Sequence, residues 1–296
     1  WLPKGYLGTP RGGSACYAAV PRGKGGQTRG SAPTNLSVAK GRLEILEEGK
    51  EMVFETTVKK AINQSGIPVA RFAANPYIGC TMGCRYCFAR FIGAFKYTNG
   101  QWGRDVWVRT NFVQKLQQEL ARPKWGTFFL STACDPYQPI ERKYRLSRGI
   151  LTQLYRNRLP VFLMTKSTLV REDVPLLKKM DNLTMNITIT TDSEDVRKVL
   201  EPGAPPIEKR IELVKELNEN GLDVGVFVGP VLPMDPWKLA KLLRPVTPRV
   251  HLDPLNYPQQ VQGVFRKNGW DKWLEREAFE NVREVFGEFF PLDKEG

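Results

Sequence analysis

The sequence has no run of 18 or more apolar residues, which excludes a membrane-spanning helix. It has a single histidine, His251. Its five cysteines, at 16, 80, 84, 87 and 134, are odd in number and unevenly spaced, so they do not form a disulfide framework. Its first 42 residues contain no aspartate or glutamate. What is present suffices for a folded body. The 296 residues are 41% hydrophobic and 10% aromatic, which argues against wholesale disorder and suits one large domain or two small ones.

Lys and Arg number 44 against 31 Asp and Glu, a formal charge of +13. That sign points to a polyanion partner, nucleic acid first and an anionic membrane surface second. The charge is uneven. Residues 1–42 carry seven basic residues and nine glycines, including RGKGGQTRG at 22–30. This arm cannot bury enough apolar surface for a core of its own. It reads as extended and laid over the body through Trp1, Leu2, Tyr6 and Tyr17. Two roles are open to it, a solvated tail or an arm that binds nucleic acid or a partner. The chain opens on Trp rather than Met, which we read as an upstream piece missing or removed, and the acid-free arm is similar to the end of a transit peptide. The other 254 residues carry 37 basic and 31 acidic groups, net +6.

Three cysteines form C-x3-C-x2-C within NPYIGCTMGCRYCFARF, Asn75 to Phe91. Zinc normally takes four ligands in two close pairs. Here there is a triplet, and His251 lies far along the chain. Three thiolates on one short loop suit three corners of a cubane iron–sulfur cluster with one iron open to a ligand. Gly79 and Gly83 let the backbone wrap closely around a bulky inorganic core. Tyr86 and Phe88 are placed to shield it from water. Unrelated buried thiols, or a zinc site borrowing Cys134 or Cys16, are the competing readings.

The triplet, with Tyr86 before Cys87, resembles the radical S-adenosylmethionine (radical SAM) superfamily. The wider string NPYIGC…GCRYCFAR, with DPYQPIERKYRLSRGIL at 135–151 and HLDPLNYP at 251–258, is similar to its spore photoproduct lyase-like branch. The resemblance runs from about Arg22 to Pro258. Met82 stands where many relatives carry His, and Cys134 where relatives with the DPYQP string more often carry Thr. The resemblance implies a [4Fe–4S] cluster held by Cys80, Cys84 and Cys87, its open iron taking the amino and carboxylate groups of SAM. One-electron cleavage then gives methionine and a 5′-deoxyadenosyl radical that abstracts hydrogen from a substrate. It also implies an electron donor such as ferredoxin or flavodoxin.

The body alternates strand and helix signals. Helical spacing covers 111–122, 147–157, 171–180, 207–221, a short stretch from Pro236, and 275–290. Buried-strand signals cover 127–132, 160–166, 183–191, 224–232 and 249–255. With the strand leading into the cysteine loop these make six β/α units and a parallel sheet. The α/β fold class implied by the family, a partial (β/α)6 barrel, agrees with that count. The expected organisation is a basic Gly-rich arm (1–42), the barrel (43–258) and a C-terminal helical extension (259–296). Phe279, Val282, Val285, Phe286 and Phe289 form the packing stripe of the last helix.

Chemistry in such barrels sits at the C-terminal ends of the strands. Lys166 is a candidate partner for the SAM carboxylate, or a solvated lysine. Ser131, Thr132 and Thr190 are candidates for its amino group or ribose, and Glu201 for a ribose hydroxyl; the alternative is ordinary strand-end capping. Arg210 is a further candidate at the carboxylate, or a helix-surface charge. Val228 and Val231 flank adenine or pack the core. Cys134, in the Ala133-Cys134 pair, matches the branch's hydrogen donor to the product radical, since a thiol S–H gives up hydrogen readily. It is otherwise a small buried residue or an extra ligand. Tyr137 relays the radical or packs. Asp135 and Glu141 bind substrate or order their loop through Arg142 and Arg145. His251 is a core histidine or a general base. Three functions follow: a radical SAM enzyme acting on DNA or RNA, one acting on a small metabolite or protein side chain, or a non-catalytic cluster-bearing subunit. Free thiols and an oxygen-sensitive cluster suit the cytoplasm or an organelle interior.

Overall fold

The computed structural model describes residues 43–46 and 51–292. The basic arm, with Cys16, lies outside the described residues. In chain order the elements are β1 (Leu43–Leu46), β2 (Glu51–Thr56), β3 (Asn63–Gln64), β4 (Phe72–Ala74), β5 (Tyr77–Ile78) and β6 (Asp105–Arg109). Then come α1 (Phe112–Leu120), β7 (Phe128–Leu130), α2 (Glu141–Tyr144), α3 (Leu146–Arg156), β8 (Val161–Thr165), α4 (Val174–Leu177) and β9 (Leu183–Thr188). The chain continues through α5 (Glu194–Leu200), α6 (Ile207–Glu219), β10 (Val224–Val228), α7 (Pro236–Leu243), β11 (Val250–Leu252), α8 (Gln262–Lys267) and α9 (Arg276–Gly287).

Six strands pair in parallel in the order β11-β10-β9-β8-β7-β4, with β3 antiparallel on the outer edge. These are the six β/α units expected from the sequence, and the fold is the partial barrel. The strands are short, near-continuous apolar runs because both faces are covered. All five residues of β10 are buried, as are all three of β7. Helices α1, α3, α6 and α7 turn Leu116, Leu151, Leu213 and Leu239 into the same core. Gly221 closes α6 with φ 81°, the left-handed cap its position predicts.

The C-terminal helix packs as its stripe predicts. Val282 and Phe286 are fully buried in the main core, and Phe289 meets Trp237 of α7 edge-on at 5.6 Å. Upstream of it, Phe265 of α8 is buried against Cys80, Met82, Cys84 and Tyr86. Residues 259–292 thus touch both the core and the cysteine loop.

Two features differ from the sequence reading. The helix expected over 171–180 is a 3-10 turn at Thr168–Asp173 followed by the single turn of α4. Ser167 Oγ accepts from Leu169 N at 3.2 Å and starts a tight turn, and Pro175 supplies no N–H to extend it. A second sheet, ordered β1-β2-β6-β5, was not foreseen. Its β6 alternates Val106 and Val108, both buried, with Trp107 and Arg109, both partly exposed. Among the described residues no helix is long and apolar enough to cross a membrane.

Candidate active site

The cysteine loop leaves the C-terminal end of the first parallel strand, β4, and lies across the mouth of the barrel. Gly79 and Gly83 have φ of 88° and 62°, left-handed values that turn the loop back on itself. Cys80 and Cys84 are buried and Cys87 is partly exposed; none forms a disulfide. Gln138, fully buried, pins the loop from the β7 side. It accepts from Thr81 N at 3.0 Å and donates to Gly79 O at 3.3 Å. From the other side, Arg85 N donates to Leu200 O at 2.8 Å and Gly203 N to Met82 O at 3.0 Å. Gly203 is so close that an added Cβ would stand 2.0 Å from Thr81 O. Trp102 Nε1 donates to Cys84 O at 3.1 Å.

The strand-end residues converge on this loop. Glu201 is buried in the turn after α5. Its Oε1 accepts from Tyr86 Oη and from Thr190 Oγ1 at 2.8 Å, and lies 3.7 Å from Lys166 Nζ. Its Oε2 lies 2.9 Å from Arg210 Nη2, a close charge contact without hydrogen-bond alignment. Arg210, fully buried, also donates to Thr188 O at 3.0 Å. Burial alone would raise the Glu201 pKa, but Arg210 and Lys166 pull it down to about 2. Lys166 lies 5.7 Å from the centre of the Tyr86 ring. Burial works against its charge, yet the Cys84 sulfur and Glu201 outweigh that and raise its pKa. Lys166, Thr190, Glu201 and Arg210 therefore form one network with Tyr86 of the cysteine motif. Val228 and Val231 are buried in the core behind it.

The β7 end supplies a second group. Ser131 is buried with φ 64°, a value unfavourable for a residue with a Cβ and typical of functional turns. Its Oγ has no hydrogen-bond partner apart from the weakly bonding Cys134 thiol. Thr132 Oγ1 accepts from Asn75 Nδ2 at 3.1 Å, and Asn75 Oδ1 accepts from Ala133 N at 3.1 Å. Cys134 is partly buried, its Sγ 3.8 Å from Tyr77 O. Asp135 N points at Cys80 Sγ, 3.3 Å away. The Asp135 carboxylate accepts from Tyr137 N, Thr165 Oγ1 and Lys166 N at 2.9, 2.7 and 2.8 Å, so it ties the β7 and β8 ends together.

Other sequence candidates sit further back. Tyr137 is buried, its hydroxyl donating to Asp173 at 2.8 Å. Glu141 accepts from the Tyr77 hydroxyl, and burial pushes its pKa up to about 7. Arg145 pairs with Glu172 at 3.5 Å rather than with Asp135 or Glu141. His251 is partly buried on β11. Residues the sequence reading missed include Gln138, Asn75, Gly203 and Arg109. Gln138 stands inside the quoted DPYQP string, which was the available signal. Asn75 likewise opens the quoted NPYIGC string; Gly203 and Arg109 carry no signal, because Gly203 meets the distant Met82 and Arg109 comes from the unforeseen sheet.

The residues present fit an iron–sulfur cluster with SAM. Three unpaired thiols share one loop closed by left-handed glycines, Thr81 Oγ1 is buried without a partner, and Ser131 Oγ is buried with only the Cys134 thiol beside it. Burial pushes the Cys84 thiol up to about 12 and raises Cys80 and Cys87 as well. Such thiols hold their protons until a metal displaces them.

Residues 74–246 match the sequence pattern of the Radical SAM superfamily. An uncharacterized protein of Methanocaldococcus jannaschii is 30% identical over 75% of this chain and 90% of its own. A protein of Pseudomonas phage M6, described as a radical SAM Nalpha-GlyT isomerase, is 24% identical over 53% of this chain and 32% of its own. A substituted spore photoproduct lyase with bound AdoMet and dinucleoside spore photoproduct superposes with a TM-score of 0.54, at 13% identity over 82% of each chain.

Proposed function

Since the chain belongs to the radical SAM superfamily and is a radical SAM enzyme, we propose that Cys80, Cys84 and Cys87 hold its [4Fe–4S] cluster and that its substrate is a nucleic acid. When bound, the cluster and SAM supply reductive carbon–sulfur cleavage to a 5′-deoxyadenosyl radical that abstracts hydrogen. The observation that carries this reading is the convergence of three unpaired thiols, the Lys166–Glu201 network and the Cys134 loop on one barrel mouth.

The chain's own residues position and enclose. Glu201, held ionised by Arg210 and Lys166, is an acceptor for a ribose hydroxyl of SAM. Arg210 acts through Glu201, since both are fully buried. Lys166 and Thr190 take the carboxylate and amino ends, with Thr132 on the β7 side, while Ser131 stands beside the Cys134 thiol. Asp135 orders the loop so that Cys134 stands close to Cys80. Cys134 donates hydrogen to the product radical, and Tyr137 braces that loop through Asp173. Residues 259–292 close the mouth against water and oxygen through Phe265. The electron comes from a ferredoxin- or flavodoxin-like donor, in a reducing compartment.

The nucleic-acid reading draws support from the dinucleoside bound by the spore photoproduct lyase and from the net positive charge. The test is anaerobic reconstitution with iron and sulfide, then SAM and dithionite with and without oligonucleotide. Wild type should form 5′-deoxyadenosine, and Cys84→Ala should lose both bound iron and the product by more than about 100-fold. Turnover that survives Cys84→Ala would remove the cluster assignment. Cys134→Ala should raise the ratio of 5′-deoxyadenosine to final product; an unchanged ratio would exclude the hydrogen-donor role.

A further inference from the structure

We propose that Arg109 and Ser131 form the seat of a backbone phosphodiester of a nucleic-acid strand, beside Cys134. The inference rests on the nucleic-acid reading above and assigns a contact that reading lacks.

Arg109 ends β6 in the second sheet, yet its guanidinium turns to the barrel mouth. Its Nη1 donates to Asn75 O at 2.6 Å, and Asn75 in turn holds Thr132 and Ala133. This places the guanidinium beside the Cys134 loop, with the Cys134 thiol as its titratable neighbour. Among the described residues, no carboxylate pairs with Arg109. Arg109 is partly exposed, and the burial it does have lowers its pKa, as for a cation partly withdrawn from water with no carboxylate facing it. Ser131, also beside Cys134, is 5% exposed and its Oγ is unpartnered apart from the weakly bonding thiol. Its φ of 64° holds that hydroxyl in place at a conformational cost. A cationic fork with free N–H groups and a buried hydroxyl are together a donor set for an oxyanion.

The surroundings favour phosphate over a single carboxylate. No acidic residue occurs between Glu55 and Asp105, a stretch that includes the whole cysteine loop. Arg85 and Arg90 on that loop and Lys96 just after it are exposed. Tyr97 is 60% exposed with Lys96 Nζ 4.8 Å from its ring centre. Repeated positive charge with an exposed aromatic matches a chain of phosphates and bases. A lone carboxylate would need only Arg109.

The test is binding of the full-length, cluster-loaded chain under anaerobic conditions to two probes. One is thymidylyl-thymidine with its phosphodiester, the other its uncharged methylphosphonate analogue. Wild type should prefer the phosphodiester by about tenfold or more, the worth of a charge-assisted hydrogen bond. Arg109→Gln should erase that preference and Arg109→Lys should keep part of it. Equal wild-type affinity for the two probes, which needs no variant, overturns the proposal. So does a preference that survives Arg109→Gln, binding of neither probe at millimolar concentration, or tighter Arg109-dependent binding of a carboxylate-bearing peptide. Formation of 5′-deoxyadenosine is measured on the same preparations. Its absence with the phosphate preference intact removes the radical reaction and not the seat; the reverse result removes only the seat.

Discussion

At the scale of single residues, the mouth holds acids in opposite states. Glu201 is buried yet ionised, because Arg210 and Lys166 flank it. Among the described residues, Asp253, after β11, has only Asn256 Nδ2 donating to its carboxyl, at 3.0 Å, and burial pushes its pKa up to about 7 from 3.8. The folded chain therefore keeps a proton that the unfolded chain releases. Stability from this group is fully present below the unfolded value and is lost as pH rises through the folded one. Between pH 5 and 8 the loss is about 2–3 kcal/mol. Asp253→Asn cannot ionise, so its thermal midpoint should fall less over that range than wild type's. Equal pH slopes would refute the assignment of a raised Asp253 pKa.

At the scale of elements, the cysteine loop is held by its neighbours as well as by its own turns, Gly83 N to Cys80 O and Cys87 N to Cys84 O. Gln138 secures one side and the turn after α5 the other. Gly203 makes the second contact feasible, since any side chain there would enter the Thr81 carbonyl. Gly203→Ala should cost about 1–3 kcal/mol, measured by urea unfolding, and should weaken cluster retention in the same preparation. An alanine variant as stable as wild type would show that the two segments part freely. The second sheet has the same kind of role. It contributes Arg109 to the mouth and packs Tyr77 and Val108 against Ile140 and Leu146.

At the scale of the molecule, six parallel strands bring residues between Cys80 and Asp253 to one end of the barrel. α8 and α9 then bind that end to the core. A site assembled from so many segments couples ligand binding to global stability. SAM at about 100 times its Kd should stabilise the cluster-loaded chain by about 2.7 kcal/mol, a rise in Tm of about 5 °C. Scanning calorimetry with and without SAM measures this. No shift in the cluster-loaded chain would contradict a SAM site at the mouth.

The cysteine triplet was legible because its three ligands are local; an eight-residue loop carries its chemistry in its spacing. The six strands were legible because doubly covered strands read as continuous apolar runs. β6 was missed although its Val106 and Val108 alternate, because a five-residue strand after an irregular loop gives a weak signal. The 171–180 segment misled because its apolar spacing is helical while Ser167 and Pro175 decide otherwise. The tertiary structure alone decided which polar groups meet. Tyr86 joins Glu201 across 115 residues, and Arg109 reaches Asn75 across 34. Such pairings follow from sheet order and crossover connections, which place distant strand ends side by side and leave no periodic trace in the sequence.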